Sequence, residues 1–473
     1  MTDDSVLIVD LDGTLIRSDM LFETFWSAFS RDWMTPVVAA TSLIGGRTAL
    51  KRRLAERGAV DVALLPYNED VLERVRDWRA QGGRAALVSA SDETVVRQIA
   101  AHLGIFDEVH GSSGDINLKG RHKAAFLTDR FSDGFAYIGD TDADLPVWKA
   151  ATKAITVTPS QALRGKVDAM GGEVEHFAAA KTPLATYIKA LRPHQWLKNI
   201  LVFLPMFTAH QLNLVTVWQS VLAFIAFCLV ASSVYVLNDL LDLDSDRSHP
   251  RKRNRPFASG KLPLIHGTWM VPLLLLASVI AMLPLGIGFM GVMLGYYAAT
   301  TAYSLFLKRR LIIDICMLAG LYTMRILAGG VATGLTLSVW LLAFSIFLFF
   351  SLASVKRQAE LVDSIAAGKM TAHGRGYRAD DLPVVTSMAI AAGYVSVLVM
   401  ALYVNSPVVL QLYTYPYALW GICLVLLYWV SRMVMVTHRG RMNDDPVVYA
   451  AKDKVSLFCF VLIAGFAAGG AVL

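Results

Sequence analysis

The chain has 473 residues, of which 55% are hydrophobic and only 17% charged, against roughly 25% charged in soluble globular domains. That deficit excludes a purely soluble enzyme, a disordered chain and a coiled coil. The net charge of +6 is uneven: residues 1–190 hold 22 Lys and Arg against 26 Asp and Glu, whereas residues 191–473 hold 22 against 12.

The first part therefore reads as a soluble α/β domain. No secretory signal pattern opens it, so it is expected to stay in the cytoplasm. Ser5-Val-Leu-Ile-Val-Asp10-Leu-Asp12-Gly13-Thr14 has the pattern of a buried strand ending in two carboxylates. Asp10 and Asp12 are two residues apart and project the same way from a strand end. Residues 85–91 predict a second strand ending in Ser89-Ala-Ser91, and residues 135–144 a third ending in Asp140-Thr-Asp142-Ala-Asp144. Helical patterns over 69–80 and 92–103 separate them. This alternation predicts a parallel sheet with polar groups gathered at the carboxyl ends of its strands.

Together these elements resemble the haloacid dehalogenase superfamily of phosphatases over residues 5–165. The resemblance implies that Asp10 is a nucleophile forming an aspartyl-phosphate and Asp12 a general acid/base. It implies that Ser89 binds the phosphoryl group, that Lys123 balances its charge, and that Asp10, Asp12, Asp140 and Asp144 surround a Mg²⁺. Residues 16–80 would hold a helical cap. Its Phe22, Phe25, Trp26, Phe29 and Trp33 recur at helical spacing, as cap core or as a docking face. The phosphatase domain is expected over 1–165, a linker over 166–190 and the membrane domain over 191–473.

From Leu197 onward nine apolar segments approach the roughly 20 residues a bilayer requires: 197–213, 217–238, 269–286, 288–306, 311–331, 337–355, 384–403, 416–436 and 454–472. The connections after the even-numbered segments carry the Lys and Arg, and those after the odd-numbered ones carry none. That bias places the basic loops in the cytoplasm and the C-terminus on the opposite side. The expected location is the cytoplasmic (inner) membrane. Cys228, Cys316, Cys423 and Cys459 lie in apolar runs without metal or disulfide spacing, as small buried hydrophobes do. Asp314 and Arg325 fall inside the fifth segment, three helical turns apart and too far to pair. Arg325 is expected to line a polar cavity, with snorkelling as the alternative. Gly368–Asp381 reads as a cytoplasmic connector or a lid.

Asn238-Asp239-Leu-Leu-Asp242-Leu-Asp244-Ser-Asp246-Arg247 follows the second segment directly. On a continuing helix Asp239, Asp242 and Asp246 share one face. Like charges so arranged repel, and a cation would relieve them. Oxygen-only ligands favour Mg²⁺ shared with substrate phosphates. The basic run from Arg247 through Arg251, Arg253 and Arg255 follows at once.

Asn238–Asp246 fits the NDxxDxxxD motif of the UbiA superfamily of intramembrane prenyltransferases, which residues 190–473 resemble. The stretches 191–199, Arg255–Gly260, Tyr303–Lys308, Arg325–Gly330 and Lys356–Leu361 look like its polyprenyl-phosphate phosphoribosyltransferase branch. Where aromatic prenyltransferases carry a second DxxxD motif, this chain has Lys356-Arg357-Gln-Ala-Glu360. The resemblance implies phosphoribosyl diphosphate as donor, a polyprenyl phosphate as acceptor, and Mg²⁺ held by catalytic Asp239, Asp242 and Asp246. The substrate-binding candidates it implies are Lys198, Asn238, Arg247, Arg253, Arg255, Tyr303, Lys308, Arg325, Lys356, Arg357 and Glu360. A bifunctional enzyme is expected, the transferase adding 5-phosphoribose to the lipid and the phosphatase removing the 5-phosphate. The alternatives are an aromatic prenyltransferase and a regulatory soluble domain; oligomeric state is open.

Overall fold

A computed structural model describes residues 6–113, 117–178, 181–368, 376–442 and 445–472. The acidic start at Met1–Asp4, and residues 369–375 of the connector, lie outside them. The chain divides into two compact units: Met1–Leu191 with Tyr235–Pro272, and Arg192–Val234 with Leu273–Leu473.

The first unit is built on six parallel strands: β1 (Val6–Val9), β2 (Arg84–Asp92), β3 (Glu108–Ser112), β4 (Phe135–Gly139), β5 (Lys153–Thr156) and β6 (Glu173–His176), in the order β3-β2-β1-β4-β5-β6. Alternation along β1 sends Leu7 and Val9 into one core and Val6 and Ile8 into another, as a strand buried on both faces requires. Strand β6 falls inside the segment expected as linker and extends the sheet. Because β1 lies between β2 and β4, the connections leave its two sides in opposite directions. The resulting switch point opens a crevice at the strands' carboxyl ends.

Between β1 and β2 come α1 (Met20–Arg31), α2 (Thr35–Ile44), α3 (Arg47–Arg57) and α4 (Glu69–Ala80). Val71, Leu72 and Val75 of α4 are buried in the sheet's core. Helix α4 is thus a layer of the sheet domain, and the cap is narrower than 16–80. Phe25, Trp26 and Phe29 form a ring cluster within the cap, while Trp33 is 70% exposed. The Trp26 indole donates to Thr268 Oγ1 at 3.1 Å, which ties the cap to the second segment of the unit.

The same joint holds a buried ion pair. The guanidinium of Arg247 grips Glu23 of α1 with both terminal nitrogens, at 3.0 and 2.6 Å, and its Nε donates to the Ala258 carbonyl. Ser18 donates to the same carboxylate at 2.5 Å. Glu23 is 2% and Arg247 7% exposed. Glu23→Ala strands a guanidinium in a dry interior, so it should cost about 3–5 kcal/mol; a lowered melting temperature of the detergent-solubilised chain checks this.

Among the described residues, seven helices are long and apolar enough to cross a membrane: Leu214–Leu241, Leu264–Leu305, Ile313–Thr333, Val339–Ala366, Ala379–Val404, Pro416–His438 and Lys454–Ala471. Nine segments are therefore not recovered. The first, 197–213, folds as a 3-10 helix (Pro193–Phe203) and a five-residue helix (Leu204–Thr208); Pro205 lacks an amide donor at that junction. The third and fourth merge into one apolar stretch, broken by a 3-10 turn at Leu283–Leu285 and by Gly286 at φ +81°.

Candidate active sites

The crevice above β1 gathers ionisable groups of the first unit around a cavity of about 620 Å³ lined by Asp10, Asp12, Ser91, Lys123, Asp140 and Asp144. Asp10 follows the last residue of β1, and its Oδ1 accepts from Lys123 Nζ at 2.8 Å. Lys123 lies near the start of α6 (Arg121–Arg130; α5 is Glu93–Leu103) and is 2% exposed. Its ammonium also donates to Tyr137 OH at 3.1 Å, and that hydroxyl donates to Asp144 Oδ1 at 2.8 Å. Burial works against the charge of Lys123, but Asp10 and Asp144 outweigh it and hold its pKa above the usual value. Lys123 is thus a fixed cation beside a carboxylate.

Asp10, Asp140 and Asp144 each place one oxygen within 4.8 Å of the others. Burial, then the neighbouring Asp10 and Asp144, push the pKa of Asp140 well above the carboxylate range. Three converging oxygens that disfavour one another's charge suit a hard divalent cation such as Mg²⁺. Gly13, at φ +74°, makes this approach feasible: a Cβ there would lie 2.1 Å from Asp140 Oδ2.

Asp12 sits apart from that trio. Its Oδ1 accepts from the Met20 amide at 2.7 Å and its Oδ2 from Ser91 Oγ at 2.6 Å. Burial, with Asp19 nearby, raises its pKa to about 6, a value suited to both giving and taking a proton near neutrality. Ser91, not Ser89, lines the cavity. Ser89 is fully buried, accepts from the Ser91 amide and donates to Asp12 Oδ2 at 3.4 Å. Both serines share a face at spacing two, but β2 runs on to Asp92, so Ser91 stands at its end.

In the second segment of this unit, the helix carrying Asn238 and Asp239 ends at Leu241. Asp242 then occupies the N-cap position of a short helix, Leu243–Ser248. The amides of Asp242 and Asp246 still bond to the carbonyls of Asn238 and Asp242, so one-face spacing survives the break. Arg255 NH1 bridges Asp239 Oδ1 at 3.1 Å and Asp246 Oδ2 at 2.5 Å. A cation thus occupies the space between these carboxylates. The donor set, all oxygen, fits Mg²⁺ with Arg255 displaced. Arg253 is exposed. Arg247, expected at substrate, is instead consumed by Glu23.

In the second unit, the residues expected to meet phosphate fall in four places. Lys198 Nζ and Lys356 Nζ both donate to Asp445 Oδ2, at 2.7 and 2.9 Å. Burial opposes the charge of Asp445, but Lys356 and Lys198 prevail and hold its carboxyl far below the usual range. Its stabilising contribution is therefore complete at neutral pH and is lost only as pH falls below that range. No motif pointed to Asp445, which lies 89 residues from Lys356. Asp445→Ala leaves two neighbouring ammonium groups without it and should cost about 3 kcal/mol, read as a drop in melting temperature.

Arg357 faces another way, because consecutive helical residues point about 100° apart. It is 1% exposed, pairs with Asp314 at 2.6 Å and with Glu360, and donates to Tyr303 OH at 3.3 Å. Tyr377, within the connector, donates to Asp314 Oδ1 at 2.6 Å. Arg325 is buried and its N–H groups point to partners inside the protein. It is 5% exposed among Phe227, Tyr296 and Tyr322, with Asn199 Oδ1, the Leu321 carbonyl and Tyr296 OH accepting its N–H groups. Lys308 is half-buried in a short 3-10 turn, Leu307–Arg309.

The chain thus combines a parallel-sheet α/β unit with helices long and apolar enough to cross a membrane. Residues 199–468 match the UbiA prenyltransferase family, and the chain belongs to it. Residues 7–149 match the haloacid dehalogenase-like hydrolases. An uncharacterized protein of Sinorhizobium fredii is 38% identical over 97% of this chain and 89% of its own length. Nodulation protein NoeC of Azorhizobium caulinodans is 40% identical over 60% of this chain and 93% of its own length. Decaprenyl-phosphate phosphoribosyltransferase of Mycolicibacterium smegmatis is 38% identical over 38% of this chain, a match spanning 58% of that protein.

Proposed function

We propose that the chain transfers 5-phosphoribose from phosphoribosyl diphosphate to a polyprenyl phosphate, releasing diphosphate, and then removes the 5-phosphate to leave polyprenyl-phosphoryl ribose. The observation that carries the second step is the Asp10–Lys123 pair beside Asp12, Asp140 and Asp144. An Asp10 oxygen attacks phosphorus, and the ribose oxygen leaves with the proton of Asp12. Water then hydrolyses the aspartyl-phosphate while Asp12 takes its proton back. Lys123 neutralises the phosphoryl oxygens. Mg²⁺ held by Asp10, Asp140 and Asp144 would supply further charge compensation.

The likeness to decaprenyl-phosphate phosphoribosyltransferases supports the first step. Asp239, Asp242 and Asp246 would hold Mg²⁺ against the departing diphosphate, and Lys198 and Lys356 would meet anionic substrate groups. Arg255, released from the carboxylates, becomes available for the same task. The even-numbered connections, the phosphatase and its lipid product would all lie on the cytoplasmic side. Tethering spares the product a search for a second enzyme.

Mass spectrometry of lipids formed from polyprenyl phosphate, phosphoribosyl diphosphate and Mg²⁺ tests both steps. A ribosylated lipid without the 5-phosphate is expected. Transfer from a prenyl diphosphate to an aromatic acceptor, with no ribosylated lipid, would overturn the reading.

A further inference from the structure

The phosphatase cavity holds more positive charge than a single phosphomonoester needs. Lys123 is committed to Asp10. Arg17, Lys51 and Lys119 also line the cavity, and no ion pair among the described residues uses them. Lys51, on the cap helix α3, donates to the Ala90 carbonyl at 2.5 Å; an ammonium has three donors, so two remain. Lys119 is exposed on a backbone pinned by the Leu118 amide, which donates to Ser112 Oγ. Arg17 touches Asn68 Oδ1 at 3.3 Å and is backed by Gly260, where a Cβ would lie 2.8 Å from the Arg17 Cβ.

Of the cavity's carboxylates, Asp10, Asp140 and Asp144 belong to the metal group, and Asp12 is held by Ser91 and the Met20 amide. That leaves Asp19, which caps α1 through the Leu21 amide and feels the charges of Lys51 and Lys119. The lining is also apolar at Pro263, Leu264 and Ile265, where the long hydrophobic stretch Leu264–Leu305 begins.

We infer that Lys51 and Lys119, with Arg17, form a second anion subsite that takes a distal phosphate of the substrate while its terminal monoester meets Asp10. The inference rests on the phosphatase reading above and adds a substrate class to it: a sugar carrying two phosphates, the second either free or esterified to a lipid. In the lipid-linked case the Pro263–Ile265 wall takes the first apolar units of the tail.

The test uses the full chain in detergent and measures inorganic phosphate released from ribose 5-phosphate, ribose 1,5-bisphosphate and a farnesyl-phosphoryl ribose 5-phosphate. Wild type should prefer the two-phosphate substrates in kcat/KM. Lys119→Ala should lower that preference about tenfold, as loss of one charge-assisted contact predicts. Lys51→Ala should do the same, but it also removes the cap contact to Ala90, so Lys119→Ala decides. A preference lost for the lipid substrate alone assigns the subsite to the phosphodiester; lost for both, to phosphate in general. Equal wild-type kcat/KM for ribose 5-phosphate and the bisphosphate, or a preference untouched by Lys119→Ala, overturns the subsite and leaves the phosphatase standing. No phosphate from any substrate overturns both.

Discussion

Asp10→Asn should reduce phosphate release by about 10³-fold or more, because an amide of the same shape is not a competent nucleophile. In the coupled reaction the lipid product should then keep its 5-phosphate, which mass spectrometry of the lipid fraction reads directly. Lys123 loses its charged partner but keeps Tyr137 OH at 3.1 Å, so a folded protein is expected and thermal melting checks it. A lipid whose phosphate content is unchanged by the substitution would remove Asp10 from the reaction.

Asp239→Asn and Asp246→Asn should each lower ribosyl transfer by about 10²–10³-fold, the usual cost of losing one group that stabilises a departing anion. Both carboxylates are 2% exposed or less and both hold Arg255. The amides weaken that hold as well as the proposed grip on Mg²⁺. Transfer followed across a Mg²⁺ titration separates these effects: a metal defect is eased by higher Mg²⁺, and a misplaced Arg255 is not. Transfer at the wild-type rate in both variants would put the diphosphate elsewhere.

The soluble unit was legible because its signals are local. Strand β1 announces itself in four buried residues and a turn at Gly13, and two more strands end in the hydroxyls and carboxylates that the crevice collects. The last strand, β6, has the pattern Glu173-Val-Glu-His176, which is too polar to read as sheet without its neighbour β5. The membrane helices were legible from hydropathy, except where Pro205 and Gly286 broke regular helix. The charged groups were less so. Lys356 and Arg357 look alike in sequence, yet the helix turns one toward Asp445 and the other toward Asp314. Arg325 packs among three aromatic rings and donates to Asn199, partners that no motif announced. Glu23 and Arg247 are 224 residues apart, and no periodicity joins positions so distant.

That last pair bears on how the gene can be divided. The compact unit containing the sheet takes in Tyr235–Pro272 as well as the N-terminal residues, so the chain leaves it, returns and leaves again. A fragment ending near residue 190 lacks Arg247, Thr268 and the Pro263–Ile265 wall. It would keep the nucleophile but carry an acidic residue with its buried counterpart gone and a cavity missing one side. Modularity at the level of sequence motifs therefore does not extend to the folded protein. The hydrolase is not a cassette that expression vectors or recombination can lift out at the composition boundary.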